Sequence, residues 1–252
     1  MTVARAVPVV ASWREPEGIA PRGTVVVVPG RGEHAGIYER LGRRIAADGY
    51  RVWAVSDPTI DEQRAAGQIR ALLDADPAGD VGPYPRVLLG SDSGALYAAG
   101  LAAAGEPDVA GVVLAGLPTR DDVPLVGGWE DELAARTACP THQARLIVDD
   151  GVRRGAIAEH LPRSWFDRAQ GSSIRAPVLG LHGEDDAVSP FTAARSWYAS
   201  VPAAELVGIS GGRHDALNDQ THRTAAATVV LFLERLRLGA DATAIARGVT
   251  LR

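Results

Sequence analysis

Short apolar runs alternate with helical stretches along most of this chain, and this alternation constrains the fold more than any other feature. Buried strands are predicted over residues 24–30, 51–57, 85–90, 109–116, 176–183 and 204–210. Helical patterns follow these runs: one stops at Gly49, others begin at Pro58 and near Ser189, and the last covers about 221–236. This succession predicts an α/β protein with a mostly parallel, doubly wound sheet covered on both faces. Ligands bind at the carboxyl ends of the strands in such sheets.

The stretch of about 118–173 interrupts the alternation. It contains no clear strand, several glycines and prolines, and the amphipathic run HQARLIVDDGVRRGAIAEHL. An insert of this length is too long for a plain loop in a compact domain, so we expect a small helical cap. The chain is therefore interpreted as one domain, 1–252, with a core of about 1–117 and 174–237, a cap of about 118–173 and a C-terminal tail of 238–252.

The basic residues and the single cysteine exclude several classes of catalytic chemistry for this chain. All 26 basic residues are arginines, which excludes Schiff-base and PLP chemistry and a Walker-type phosphate lysine. Cys139 is the only cysteine, so an intrachain disulfide and a multi-cysteine metal site are excluded as well. No two histidines stand at helical ligand spacing and no H-E-x-x-H motif occurs, so we expect neither a metal nor a cofactor.

The charge balance and the apolar runs indicate the class of partner. With 26 basic and 31 acidic residues the formal net charge is −5, which does not favour nucleic acid or an anionic membrane surface. The longest apolar candidate, 225–233, falls short of the roughly 18 residues that span a bilayer. The start of the chain is too weakly apolar for a signal peptide, so we expect a cytoplasmic protein. The expected partner is a small hydrophobic molecule, and the oligomeric state stays open.

The sharpest local feature is LLGSDSGAL, in which a predicted strand runs through small residues directly into a predicted helix. This is the context of a nucleophile elbow, G-x-Nuc-x-G, where glycines allow the sharp turn that presents the nucleophile. Counting from Gly90 to Gly94 places Asp92 at the apex. Downstream, LHGEDDAVSP offers Asp186 and GGRHDALND offers His214, each after a predicted strand. Nucleophile, acid and histidine stand in the chain order that such an elbow requires.

These motifs together resemble the α/β-hydrolase superfamily, in particular its monoacylglycerol lipase and lysophospholipase (serine aminopeptidase-like) branch. The resemblance covers about 24–116 and 176–236, through VPGRGEHAGIYERLGRRIAADGYRVWAVSDP, VLLGSDSGAL, PVLGLHGEDDAVSP and GGRHDALND. It implies an α/β-hydrolase fold with a small helical cap inserted after the sixth strand. It also implies a triad of Asp92, His214 and Asp186, and an oxyanion hole made by the backbone N–H groups of Arg31 and Ser93.

Two positions depart from the branch. Pro29 and Gly30 stand where it has histidine and glycine, and Asp92 stands where it has serine. An aspartate, with an ordinary pKa of about 3.9, is ionised without help from a base. Its attack on an alkyl halide or epoxide carbon produces a stable alkyl ester, which water activated by His214 then hydrolyses. At this one position the chain resembles haloalkane dehalogenases and epoxide hydrolases. We therefore expect a hydrolase that forms a covalent ester with an epoxide, alkyl halide or ester substrate.

Three other interpretations remain open. A shift of one residue makes Ser93 the nucleophile of an ordinary serine esterase. A hydrolase fold that only binds a ligand is the second. The third is a nucleotide-binding α/β protein, because Gly30, Gly32 and Ala35 fit the tolerated variant G-x-G-x-x-A and Asp57 ends the next predicted strand.

Several residues of the predicted cap are candidates for substrate contact. They are Trp129, His142 and Trp165, with His160 as a further proton donor. The turn after the first predicted strand contains Arg31, and we call it the oxyanion turn; His34 is expected to brace it.

Overall fold

The fold is taken from a computed structural model that describes residues 11–73, 85–105, 109–121, 127–239, 243 and 245–246. Seven strands form one sheet: β1 Ala11–Trp13, β2 Gly23–Val28, β3 Tyr50–Ala54, β4 Arg86–Ser91, β5 Gly111–Ala115, β6 Val178–Gly183 and β7 Ala204–Ile209. The described residues contain eight α-helices: α1 Glu39–Ala47, α2 Glu62–Leu73, α3 Ser93–Ala104, α4 Trp129–Arg136, α5 Pro140–Val148, α6 Arg163–Arg168, α7 Phe191–Tyr198 and α8 His222–Leu238.

The sheet has the order β1-β3-β2-β4-β5-β6-β7. Only β1 runs antiparallel to its neighbour, β3; the pairs from β3 through β2 to β7 are all parallel. The chain first builds outward from β2 to β3 and then crosses back to place β4 on the other side of β2. The ends of β2 and β4 therefore border the point at which the strand order reverses, where α/β sheets bind their ligands. The α/β class and the mostly parallel sheet are confirmed.

Alternate residues of β2 enter different cores, because successive side chains of a strand point to opposite faces. Val25 and Val27 pack with residues of α1 and α8, while Val26 and Val28 pack with α2, α3, α6 and α7. All six residues of β2 are buried. Because β2 is a central strand with both faces covered, its last four residues can all be valine.

Three helices, α4 to α6, fill the interval between β5 and β6, and we call residues 127–174 the insert. The described residues of the insert form these helices and contain no strand, and its role as a cap stays a prediction. The resemblance implies an insert after the sixth strand. In the described sheet the insert follows the fifth strand, β5, because a single strand, β1, stands before β2. Residues 122–126 and most of the predicted tail 238–252 lie outside the described residues.

One helix begins later than the sequence predicts. The helix expected from Pro58 starts at Glu62, because residues 57–60 form a turn in which Asp57 Oδ1 accepts the Thr59 N–H at 2.7 Å. Asp61 Oδ1 then accepts the Arg64 N–H at 2.9 Å and caps the new start.

A helix that crosses a bilayer must be both long and apolar. Within the described residues, no helix has the length and the apolarity to do so.

Candidate active site

The turn between β4 and α3 has the geometry of a nucleophile elbow. Asp92 stands alone between the two elements with φ 48° and ψ −121°. Within the described part of the chain it is the only non-glycine residue with positive φ. Such strain is kept where the surrounding structure enforces it, commonly at functional sites. A Cβ on Gly94 would collide with the backbone of Val28, so β2 and the elbow pack more closely than any larger residue would allow.

The carboxylate of Asp92 is held by Arg31, which lies in the turn after β2. Oδ2 accepts the Arg31 backbone N–H at 3.0 Å and the side-chain Nε–H at 2.9 Å. Oδ1 accepts the Arg31 Nη2–H at 2.9 Å. The guanidinium also donates to the Glu159 carbonyl of the insert at 2.8 Å. The pair is bidentate and buried, with 5% and 2% of the side chains exposed, so solvent screens it little.

His214 lies between two carboxylates, in the loop after β7. Its Nδ1 is 2.9 Å from Oδ2 of Asp186, and its Nε2 is 3.1 Å from Oδ1 of Asp92. The second contact is an ion-pair distance only, because Nε2 makes no aligned hydrogen bond with any described residue. Asp186 is fixed in turn, since its Oδ1 accepts the N–H groups of Val188 and Ser189, both at 2.8 Å.

Burial and neighbouring charges set the protonation states of this group. Burial disfavours the ionised form of Asp92, but the charge of Arg31 and the contact with His214 outweigh it and hold the pKa of Asp92 well below its usual range. Burial likewise opposes ionisation of Asp186, whose pKa is nevertheless lowered by His214 and His182. Burial alone would lower the pKa of His214, but Asp186 and Asp92 raise it to about 10. At neutral pH the group is an imidazolium between two carboxylates.

The structure brings together the five residues that the sequence predicts for catalysis and the oxyanion hole. Asp92, His214, Asp186 and Arg31 are in direct contact as described. Ser93 is the first residue of α3, where N–H groups have no partner within the helix. Its hydroxyl is fully buried, and Oγ hydrogen bonds to none of the described residues.

The predicted pocket residues do not converge on one place. Trp165 packs against Tyr97 with the ring centroids 4.9 Å apart and the rings tilted by 53°. It donates its Nε1–H to Glu62 at 3.1 Å, in the core shared with α3. Trp129 packs on the core of the opposite face. His142 is buried 3.4 Å from Asp215.

The two remaining histidines singled out from the sequence are more exposed. His160 pairs with Asp121 at 2.9 Å at the surface. His34 links the oxyanion turn to the insert: its Nδ1 accepts the Gly36 N–H at 3.1 Å, and its Nε2 is 3.0 Å from Asp149.

A buried polar cluster beside the triad was not predicted from the sequence. Arg136, at the end of α4, donates its Nη2–H to the Arg31 carbonyl at 2.8 Å and pairs with Glu132 at 3.0 Å. Glu33 accepts from the Tyr38 hydroxyl and from the Gly30 N–H, the latter at 3.3 Å. The cluster joins the insert to the oxyanion turn. Its one sign in the sequence is the run of charged residues after β2, RGEH, which does not reveal the partners.

Comparisons with known proteins agree with this architecture. No family model matches the chain. A monoacylglycerol lipase of Mycolicibacterium smegmatis is 27% identical over 215 residues, which cover 69% of this chain and 74% of the relative. The crystal structure of a monoacylglycerol lipase from Paleococcus ferrophilus superposes with a TM-score of 0.70 at 20% identity, covering 88% of this chain and 96% of the other.

A third relative is a soluble variant of the monoglyceride lipase from Saccharomyces cerevisiae, solved with a substrate analogue. It has a TM-score of 0.71 at 17% identity and covers 89% of this chain and 90% of the other. The chain has the α/β-hydrolase fold. It is a hydrolase of the α/β-hydrolase type, and its relatives lie in the monoacylglycerol lipase and lysophospholipase branch. This fold accounts for the reversal of the strand order beside β2, for the elbow and for the order of the site residues along the chain.

Proposed function

We propose that this hydrolase uses Asp92 as its nucleophile and forms a covalent ester with a small or medium hydrophobic substrate. The proposed substrate is an epoxide, an alkyl halide or an ester. The observation that supports this most directly is the position of Asp92: its backbone has the strained geometry of the elbow apex, and its carboxylate lies beside His214. The lipase relatives support an apolar substrate, because their names imply lipid chains.

In the first step an oxygen of Asp92 attacks a saturated carbon of the substrate. The new C–O bond forms as the bond to the halide or the epoxide oxygen breaks, and the leaving atom takes the electron pair. Oδ1 is the attacking oxygen in this proposal, because Oδ2 is held by both the backbone and the side chain of Arg31. The Arg31 bond to Oδ1 must open before attack. Arg31 is therefore the group that controls access to the nucleophile.

In the second step water adds to Cγ of the Asp92 ester. His214, oriented by Asp186, takes a proton from the water, which accelerates the step by about 10²–10⁴. Formation of the ester removes one of the two negative charges beside the imidazole, which lowers the affinity of His214 for its proton. His214 gives that proton to solvent or, after opening of an epoxide, to the new alkoxide, and the neutral imidazole can then act as a base. The oxyanion forms on Oδ2, where the Arg31 N–H and Nε–H already donate at 3.0 and 2.9 Å. Its collapse breaks the bond between Cγ and the alkyl oxygen, and His214 protonates the departing alkoxide to release the alcohol. The carboxyl group of Asp92 then gives its proton to His214, which restores the resting state.

The first experiment separates this proposal from a serine esterase. The protein is treated with a fluorophosphonate, which phosphorylates an activated serine but not a carboxylate, and peptides are mapped by mass spectrometry. We expect no adduct at Ser93, because Asp92 occupies the apex. An adduct at Ser93 would replace the proposal with a serine esterase.

The second experiment tests the covalent step directly with a panel of epoxides and alkyl halides. His214→Gln should accumulate an alkyl ester on Asp92, seen as a mass increase on the elbow peptide, because attack proceeds while hydrolysis is slowed. Asp92→Ala should abolish turnover, and Ser93→Ala is the matched control that should retain it. Turnover by Asp92→Ala would contradict the mechanism. A wild-type protein inert to the whole panel would favour a protein that only binds its ligand.

A further inference from the structure

Three buried residues outside the proposed triad meet where the insert contacts the core. Glu33 belongs to the turn after β2, His142 to α5 of the insert, and Asp215 to the loop after β7. Their exposed fractions are 3%, 1% and 3%. One potential ligand atom from each lies within 4.8 Å of the other two. A single ion could therefore contact all three side chains.

Each of the three residues also has an atom that the rest of the protein leaves unsatisfied. Glu33 Oε1, His142 Nε2 and Asp215 Oδ2 are buried without a hydrogen-bond partner among the described residues. His142 Nε2 and Asp215 Oδ2 are 3.4 Å apart, and Glu33 Oε1 is 3.6 Å from Arg136, so each of the three atoms has an ion-pair contact but no hydrogen bond. Buried polar atoms almost always form hydrogen bonds, so this cluster requires an explanation. A bound cation is one group that satisfies an imidazole nitrogen and two carboxylate oxygens together.

The charges of the cluster point the same way. The carboxylates of Glu33, Asp215 and Glu132 surround Arg136, the guanidinium that contacts them within the described residues. Arg136 pairs closely with Glu132, at 3.0 Å. Its Nη1 is 3.6 Å from Glu33 and 3.9 Å from Asp215, beyond hydrogen-bond distance. Nη1 of Arg136 therefore gives neither Glu33 nor Asp215 a hydrogen bond, and a cation bound between the two carboxylates supplies the missing contact.

We propose that Glu33, His142 and Asp215 bind one divalent transition-metal ion, such as Zn²⁺ or Mn²⁺. An imidazole nitrogen with two carboxylate oxygens favours these ions over Mg²⁺ or Ca²⁺, which prefer oxygen ligands. The ion has a positioning role. It joins the insert to the two loops that present Arg31 and His214, since Glu33 follows Arg31 by two residues and Asp215 follows His214 directly.

The test begins with the wild-type protein. After dialysis against a chelator, the full chain is titrated with Zn²⁺, Mn²⁺ and Mg²⁺ while calorimetry reports stoichiometry and thermal unfolding reports Tm. We expect one equivalent of Zn²⁺ or Mn²⁺, with a Tm that rises as metal is added because the ion binds the folded state. Mg²⁺ should bind more weakly. Failure of both Zn²⁺ and Mn²⁺ to bind stoichiometrically would overturn the proposal.

Variants locate the ion. His142→Gln should weaken binding at least ~10-fold, whereas His160→Gln, at an exposed histidine of the insert, should bind as tightly as wild type. Asp215→Asn is a nearly isosteric second variant in case His142→Gln fails to fold. Undiminished binding by Asp215→Asn or His142→Gln would place the ion elsewhere and refute this site. The assay needs no substrate, so its result is independent of the Asp92 mechanism.

Discussion

At the scale of single residues, Arg31 sets the charge environment of the elbow, because it pairs with the carboxylate of Asp92. Its backbone N–H and its guanidinium both bind Asp92, and the pair is almost wholly buried. A buried carboxylate is tolerated only when it is paired, so Arg31 determines whether the elbow can contain an aspartate at all. The same contacts weaken the nucleophile in the resting state and stabilise the oxyanion that the proposed mechanism forms on Oδ2.

Replacing Arg31 with methionine tests the first part of this argument. The substitution keeps the backbone N–H and much of the side-chain volume but removes the buried guanidinium, so that the buried Asp92 keeps His214 alone as a neighbouring positive charge among the described residues. We expect the free energy of unfolding to fall by about 3–5 kcal/mol, as measured by denaturant titration. Arg43→Met is the matched control: its pair with Glu39 at 2.8 Å is exposed, so the loss should stay within about 0.2–1 kcal/mol.

A double-mutant cycle shows whether the cost of losing Arg31 arises from Asp92. In an Asp92→Asn background the same Arg31→Met substitution should cost markedly less, because a neutral amide needs no counter-charge. Equal costs in the two backgrounds would mean that Arg31 stabilises the protein through its contact with the insert at Glu159 and not through the elbow.

At the scale of elements, most strands and helices of the core were predictable because their signals are local. The valine run of β2 and the glycine and proline boundaries follow directly from backbone and side-chain preferences. The edge strand β1 was not predicted, since its three residues show no usable alternation and its partner β3 is distant in sequence. The start of α2 was placed too early because the Asp57 turn satisfies the backbone where Pro58 favours a helix.

Two helix glycines test how β1 is fixed to the sheet and its covering helix. Gly42, in α1, faces Trp13 of β1 so closely that a Cβ would collide with the indole ring, whereas a Cβ on Gly67, in α2, would meet no atom within 4 Å. Gly67→Ala should stabilise the protein by about 0.5–1 kcal/mol through helix propensity. Gly42→Ala should instead destabilise it by about 1–3 kcal/mol. Equal stabilisation by both, measured by thermal unfolding, would mean that β1 does not pack on α1.

At the scale of the whole molecule, the site depends on segments that meet only in the folded sheet. The elbow, acid and histidine motifs could be placed at one edge, because parallel strands end there. The contacts of Arg31 with Glu159, and the meeting of Glu33, His142 and Asp215, depend on how the insert folds back over that edge. No local pattern encodes that path. For this reason His142 was predicted to contact substrate, whereas it lies against Asp215 in the buried cluster.

The pH dependence of thermal stability should show that Asp186, the buried acid of the proposed triad, stabilises the folded protein in its ionised form. The pKa of Asp186 is lowered in the folded state despite burial, through His214 and His182. Relative to an unfolded value of about 3.9, the ionised group therefore contributes stability above that pH and loses it as the pH falls towards the folded pKa. The Tm advantage of wild type over Asp186→Asn should be largest near about pH 6 and shrink by about pH 3. Asp185→Asn, at the exposed neighbouring carboxylate, should follow the wild-type profile throughout. An advantage that stays constant over this range would show that the ionised form of Asp186 does not stabilise the fold.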